Sequence, residues 1–330
     1  MKRRGSFVVA GALCISLLMN GCSKKESMPM SYKDMMVTNK SQSMDFIQTN
    51  TSDYRSNQYC VVPLGEDHGG DDKITAAASL IFDITNKVII YADHIYDRIY
   101  PASITKLMTA LVVFEQCDLD EVVTVSYNAS HITEAGAKLC GLKEGDQIKL
   151  GDLVTALLVY SGNDAGTAIA EHVSGSVSVF AKLMNETAKR IGAVDSHFVN
   201  PHGLHDENHY TTAYDLYLIF QQFLQYDQGK EMIQKANFTM NYQDANGNTK
   251  QLYFVNTNKY LMGEVSAPEG LTVEGGKTGT TNAAGYCLEI LVDDQKGNSY
   301  IALVLKANNS SNLYNQLNVL MNKIQESKSQ

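Results

Sequence analysis

The sequence is short of positive charge. Its 330 residues carry 27 Lys and Arg against 36 Asp and Glu, a formal net charge of −9. Nucleic-acid binding needs a basic footprint, so this composition argues against that class. Only 5 prolines and 24 glycines exclude a collagen-like or Pro-rich chain. There is no internal repeat, no Cys-x-x-Cys and no His-Glu-x-x-His, which argues against thioredoxin-like and zinc-protease chemistry. Long apolar runs are missing too. Phe7 to Met19 has 13 residues, too few to span a bilayer comfortably. What remains, 44% apolar and 19% charged residues, is the balance of a folded protein of one or two domains.

That short apolar run has a meaning of its own. Lys2, Arg3 and Arg4 precede it, Leu18-Met19-Asn20-Gly21-Cys22 ends it, and Ser23-Lys24-Lys25-Glu26 follows. Basic, apolar, small, then polar is the order of an export signal. A small residue before Cys at this place resembles the lipobox of bacterial lipoproteins, although Met19 and Asn20 depart from the usual small or aliphatic choices. The resemblance implies that residues 1–21 are removed and that Cys22 becomes the lipidated first residue. The alternative is an ordinary signal with Cys22 incidental, and both readings place the protein outside the cytoplasm. Losing residues 1–21 removes three positive charges and leaves a net charge of −12. A lipid, not attraction to anionic headgroups, would then hold the protein at the membrane.

Residues 23–58 are rich in Ser, Asn, Gln, Met and Lys with no sustained period. They read as a flexible tether, so that 22–72 is lipidated Cys plus tether and 73–330 is the folded domain. Cys60, Cys117, Cys140 and Cys287 remain, and in an oxidising compartment four thiols allow three pairings. A chain this long folds without disulfides. Free buried thiols are the default, and a Cys117–Cys140 bridge is the alternative.

Periodicity sketches the domain. Ala76–Asp83 and Val88–Asp93 read as a hairpin around Ile84-Thr85-Asn86-Lys87. Ser103–Gln116 is apolar nearly all round, the mark of a buried helix. Further helices are expected over Asp152–Tyr160, Asp164–Val173, Val177–Ile191 and Thr211–Gln225. Strands follow at Phe238–Tyr242, Gln251–Val255, Leu271–Thr280, Gly285–Val292 and Tyr300–Lys306, then a helix over Ser311–Ile324. Strands at both ends with helices between predict an α+β domain: one antiparallel sheet flanked by helices, with an inserted helical lobe.

Three short motifs carry chemistry. Ser103-Ile104-Thr105-Lys106 is the chain's one Ser-x-x-Lys, at the start of the buried helix. Its spacing puts both side chains on one helical face. A serine hydroxyl needs a base to become a nucleophile, and a lysine whose pKa is lowered by burial or nearby charge can be that base. Ser161-Gly162-Asn163 follows an apolar helix, and Gly162 permits a tight backbone that turns a hydroxyl and an amide into one cleft. Lys277-Thr278-Gly279-Thr280 lies on a strand, where a cation and hydroxyls hold a carboxylate and Gly279 lets a peptide backbone approach. Each has an ordinary alternative: a helix cap with a surface lysine, a plain turn, or a strand broken by a bulge. Ser310-Ser311-Asn312 shows how easily Ser-x-Asn recurs.

Together and in this order the three form the signature set of class A β-lactamases and penicillin-binding proteins. The chain resembles the serine D-alanyl-D-alanine carboxypeptidases, the low-molecular-weight penicillin-binding proteins. Pro101-Ala102-Ser103, Ser161 through Ala165, Asn200 through Leu204, Tyr210 through Asp215 and Gly276 through Gly285 all match, and the resemblance covers about residues 74–307. It implies a β-lactamase/transpeptidase-like fold, no cofactor and no metal, a substrate peptide of the cell wall ending in D-Ala-D-Ala, and covalent inhibition by β-lactams. It implies that Ser103 attacks, Lys106 takes its proton, and Ser161 and Asn163 relay the proton and hold the acyl chain. Lys277 and Thr278 would bind the terminal carboxylate, the backbone N–H groups of Ser103 and Thr280 would form the oxyanion hole, and Gly279 and Thr280 complete the substrate-binding strand.

Two departures stand out. No second β-rich domain or C-terminal anchor helix fits after the last strand, and Glu274-Gly275-Gly276 replaces the Asp-Gly usual before Lys-Thr-Gly. His202, His205 and His209 cluster with Asp206 and Glu207, but in a loop and without metal-protease spacing. A class A β-lactamase is the nearest rival. It needs a carboxylate to activate water, and no matching Glu-bearing loop lies between Asn163 and Lys277. An endopeptidase with another leaving group and a wall-peptide-binding lipoprotein without turnover complete the alternatives.

Overall fold

The computed structural model describes residues 59–327, apart from Leu64, Glu66 and His68. The expected signal, Cys22 and the tether up to residue 58 lie outside the described residues. Residues 59–63 belong to the packed body although they fall within the stretch read as tether. Cys60 and Val62 are buried, the Cys60 N–H donates to Tyr217 Oη (2.9 Å), and Tyr214 Oη donates to the Cys60 carbonyl.

The chain opens with β1 (Ala78–Asp83) and β2 (Val88–Asp93), the expected hairpin. One 3₁₀ turn, Ala102–Ile104, leads into α1 (Thr105–Gln116). Then come β3 (Val122–Thr124), α2 (Tyr127–Ser130), β4 (Gln147–Lys149), α3 (Leu150–Val159), α4 (Asn163–Ser174) and α5 (Val177–Ile191). After α6 (Ala213–Phe223) and α7 (Asp227–Ile233) the chain turns to strand: β5 (Asn237–Gln243), β6 (Thr249–Val255), β7 (Leu271–Thr281), β8 (Gly285–Asp294) and β9 (Ser299–Ala307). The last described helix is α8 (Ser310–Ser327).

Local chemistry sets the helix boundaries. The Ser176 side chain accepts the Val179 N–H to start α5, and Gly192 ends it with φ of 94° behind Lys189 and Arg190. Thr212, expected inside a helix from Thr211, is instead the N-cap of α6 and accepts the Asp215 N–H at 3.0 Å. Every residue from Thr105 to Val113 in α1 is buried, so the all-round apolar pattern was a central helix.

The main sheet has the order β2-β1-β9-β8-β7, antiparallel throughout, with the first hairpin paired to the last strand. Alternation along its strands builds two cores. Leu80, Phe82, Ile301, Leu303 and Leu305 face the helical lobe, while Ile81, Ile290, Val292, Val304 and Leu288 face α8. Each such side chain contributes roughly 1.5–3 kcal/mol on full burial. The α+β architecture is as expected, but the strands do not form a single sheet. β5 and β6 belong to a second sheet of order β3-β4-β5-β6. β3 and β4 are three residues each, too short for their alternation to register, and β5 pairs with β4 only through Gln243 and Gln147.

The four described cysteines are free thiols, and no Cys117–Cys140 bridge forms. Cys60, Cys140 and Cys287 are buried, while Cys117 caps α1 half-buried.

Candidate active site

The three motifs converge on one cleft of about 330 Å³, lined by Ser103, Ser161, Asn163, Thr278, Gly279 and Thr280 among others. Ser103 sits in the 3₁₀ turn ahead of α1, and Lys106 lies in the first turn of α1 itself. Lys106 is fully buried, and its Nζ lies 2.7 Å from Ser103 Oγ, 2.8 Å from Asn163 Oδ1 and 2.6 Å from the His202 carbonyl oxygen. Burial, and then the charge of Lys277, hold Lys106 well below the usual lysine range.

The turn bearing Ser103 is strained and wedged in place. Ala102 has φ of 48°, a region a residue with Cβ rarely visits. Its carbonyl is so close to Gly203 that a Cβ there would meet it at 1.8 Å. From the other side Gly279 presses on the same turn: a Cβ would come within 2.9 Å of the Pro101 oxygen and 3.1 Å of the Ser103 nitrogen. The expectation for Gly279 was access for a substrate backbone. The protein's own turn at residues 101–103 already requires the glycine.

The tight residue of the second motif is Ser161, with φ of 74°, and not Gly162, whose φ is −64°. Gly162 is needed for space, since a Cβ would lie 2.2 Å from Cys140 Sγ. The neighbouring Asp164 carboxylate accepts the N–H groups of Cys140, Gly141 and Leu142 at 2.8–3.2 Å. The Asn163 N–H donates to the Lys138 carbonyl at 2.7 Å. The Ser161–Asp164 turn and the 138–142 loop are therefore one unit, with Lys138 on the cleft wall.

β7 supplies the opposite wall as the edge strand of the main sheet. Lys277 is buried, its Nζ donates to the Thr278 carbonyl at 2.9 Å, and burial followed by the charge of Lys138 pulls it down to about 7. Thr278 Oγ1 lies 2.5 Å from Thr257 Oγ1. Lys138 and Thr257 were not singled out from the sequence; neither sits in a motif, and only the folded chain brings them to the cleft.

The three loop histidines go separate ways. His202 lends its carbonyl to Lys106, and burial drives its ring far below the usual histidine range. His209 is pushed down to about 3, chiefly by burial; its Nδ1 accepts the Val199 N–H and its Nε2 lies 2.8 Å from Thr105 Oγ1. His205 packs edge-on against Tyr100. Among the described residues no group of three or more His, Cys, Asp or Glu side chains converges.

Known proteins are similar to this chain in sequence and in fold. D-alanyl-D-alanine carboxypeptidase DacF of Bacillus subtilis is 34% identical over 226 residues, 67% of this chain and 54% of the relative. DacD of Salmonella typhimurium is 32% identical over 258 residues, 75% of this chain and 62% of the relative. The matches thus span about half to three-fifths of these curated relatives. A variant of the Streptomyces K15 DD-transpeptidase superposes with a TM-score of 0.71 at 25% identity, covering 76% of this chain and 97% of that one. The D-alanyl-D-alanine carboxypeptidase family model, peptidase S11, matches residues 66–309, and the chain belongs to that family.

Proposed function

We propose that the protein is a serine D,D-carboxypeptidase that removes the terminal D-alanine from peptidoglycan stem peptides through an acyl-enzyme on Ser103. The observation that carries this reading is the contact set of Lys106. A neutral amine has two N–H donors and one lone pair. The Asn163 Oδ1 and the His202 carbonyl can only accept, so they take the two donors. The lone pair then faces the Ser103 hydroxyl at 2.7 Å, as a general base must.

The steps follow. Ser103 Oγ attacks the carbonyl carbon between the two D-alanines as its proton passes to Lys106 Nζ. The oxyanion is held by the backbone N–H groups of Ser103 and Thr280. The C–N bond breaks, the departing amine receives the proton through Ser161, and Asn163 orients the acyl chain with its side-chain N–H₂. Lys277, Thr278 and Thr280 grip the carboxylate of the leaving D-alanine, with Gly279 keeping the strand tight against the nucleophile turn. Water then cleaves the ester and restores Ser103. A β-lactam acylates Ser103 by the same attack, its ring opening in place of the peptide bond.

In the same reading the enzyme works outside the cytoplasm, held at the membrane by lipid on Cys22 after residues 1–21 are removed. The basic-apolar-small-Cys order of the first residues supports this. No described helix is long and apolar enough to cross a membrane.

The test is covalent labelling. The wild type takes up a fluorescent penicillin that survives denaturing electrophoresis, and it releases D-alanine from a peptide ending in D-Ala-D-Ala. Ser103→Ala does neither while keeping the wild-type melting temperature. Release of D-alanine by Ser103→Ala at the wild-type rate would remove Ser103 from the mechanism.

A further inference from the structure

The cleft is lined by cations without acids. Among the described residues that line it none is Asp or Glu, whereas Lys138 and Lys259 line it and Lys277 is buried beside Thr278. The two lining lysines differ. Lys259 has an ion pair with Glu264 at 3.9 Å and the ring of Tyr314 beside it. Lys138 has no carboxylate partner among the described residues; its Nζ stands 4.0 Å over the ring of Tyr160.

That ring locates Lys138 within the cleft. Tyr160 immediately precedes Ser161 and packs 4.8 Å from Phe254 at the end of β6. Three residues on, Thr257 shares its hydroxyl contact with Thr278. Lys138 therefore belongs to the Ser161–Thr257–Thr278 side. In the carboxypeptidase reading, on which this inference rests, that is the side of the leaving amino acid. Its charge also reaches Lys277 and Lys106, since it disfavours protonation of both. Adjacent like charges in a small cleft are unfavourable until an anion enters between them.

We propose that Lys138 is a second carboxylate-binding cation, which acts with Lys277 to select substrates whose leaving residue carries a free carboxylate. The loop that holds it is built for the task. Its backbone is fixed by Asn163 and by three N–H bonds to Asp164, so the side chain can engage a ligand without moving the turn that bears Ser161 and Asn163.

The experiment compares an N-acylated peptide ending in D-Ala-D-Ala with the same peptide as its C-terminal amide, using the full chain. The readout is the ratio of kcat/KM for acid over amide. One charge-assisted hydrogen bond corresponds to about a tenfold change. Lys138→Met and Lys138→Gln lower the ratio about tenfold, mainly through KM of the acid, and Lys138→Arg restores most of it. A ratio within about twofold of wild type in both neutral variants, with melting temperatures kept, overturns the role of Lys138. So does an equal loss on acid and amide, which would mark Lys138 as a structural support of the loop. The wild type separates the two readings: if it neither hydrolyses the peptide nor takes the penicillin label, the carboxypeptidase reading fails first and this one with it.

Discussion

Two buried lysines serve the same cleft from opposite walls, and the fold treats them differently. Lys106, on the helical side, is saturated by Ser103, Asn163 and the His202 carbonyl. Lys277, on the sheet edge, has a single hydrogen-bond partner among the described residues, the carbonyl of its neighbour Thr278. In the proposed mechanism the first is finished before any substrate arrives, its lone pair aimed at Ser103 by its two acceptors. The second keeps donors in reserve for a ligand. A base must be positioned in advance, whereas an anchor must stay incomplete.

The sharpest way to break this contrast is to remove the saturated partner. Lys106→Ala should slow acylation by about 10²–10⁴-fold, the worth of general-base catalysis, for penicillin and peptide alike. The rate of fluorescent labelling in single turnover measures it; a near-normal rate would take Lys106 out of the mechanism.

The incomplete partner gives a smaller, pH-shaped effect. In the proposed mechanism Lys277 binds a carboxylate only as a cation, and it is held down to about 7 by burial and then by the charge of Lys138. In the same proposed mechanism Lys106 works as a neutral amine, and it lies well below the lysine range. In the free enzyme, kcat/KM for a carboxylate substrate should climb as Lys106 loses its proton and decline again as pH passes about 7. The two lysines titrate as a pair. Lys277→Met should lower kcat/KM about 10–100-fold, as expected for a lost hydrogen bond to a charged group, and erase the alkaline decline. A pH profile that keeps its alkaline limb in this variant would assign that limb to another group.

The smallest effect is on stability and concerns the residue opposite Lys277. Glu289 on β8 pairs with Lys277 across the sheet, is fully buried, and neither carboxyl oxygen has a hydrogen-bond partner among the described residues. Burial holds its pKa well above the ordinary 4.5. Between those two values the folded chain retains a proton that the unfolded chain releases, so Glu289 costs stability increasingly as pH rises above about 4.5. Glu289→Leu should stabilise the protein by about 1–3 kcal/mol at neutral pH and flatten that dependence. Denaturant melts at pH 5 and pH 8 would show it, and a destabilised variant would mean the carboxyl is satisfied in solution.

Sequence patterns reported some of this and were silent on the rest, for physical reasons. The hairpin is two apolar runs around a turn, the helix after Ser103 is apolar nearly all round, and the long helix ending at Gly192 has a serine N-cap and a glycine C-cap, so local chemistry specifies them. β3 and β4 have one buried residue each and no period to detect. α7, only seven residues long, left no helical signal either. In the site, Ser103, Lys106, Ser161, Asn163, Lys277 and Thr278 were legible because their spacing is chemistry along the chain. Lys138 and Thr257 were not, because they acquire meaning only through a neighbour distant in sequence. The strain at Ala102 and Ser161 was equally hidden, since neither residue type signals positive φ.

The pairing of β1 with β9, which sets Ala78 against Leu305, has a temporal consequence. In the proposed export, a chain threaded across a membrane from its N-terminus would present Ser103 and Lys106 long before Lys277 and the strands behind it. The hairpin must wait with one edge unpartnered until nearly the whole domain has emerged. Until β9 arrives, the two walls of the cleft have no common floor. Under the proposed function the enzyme would be silent through most of its own synthesis and become competent only where its last strand is free to dock.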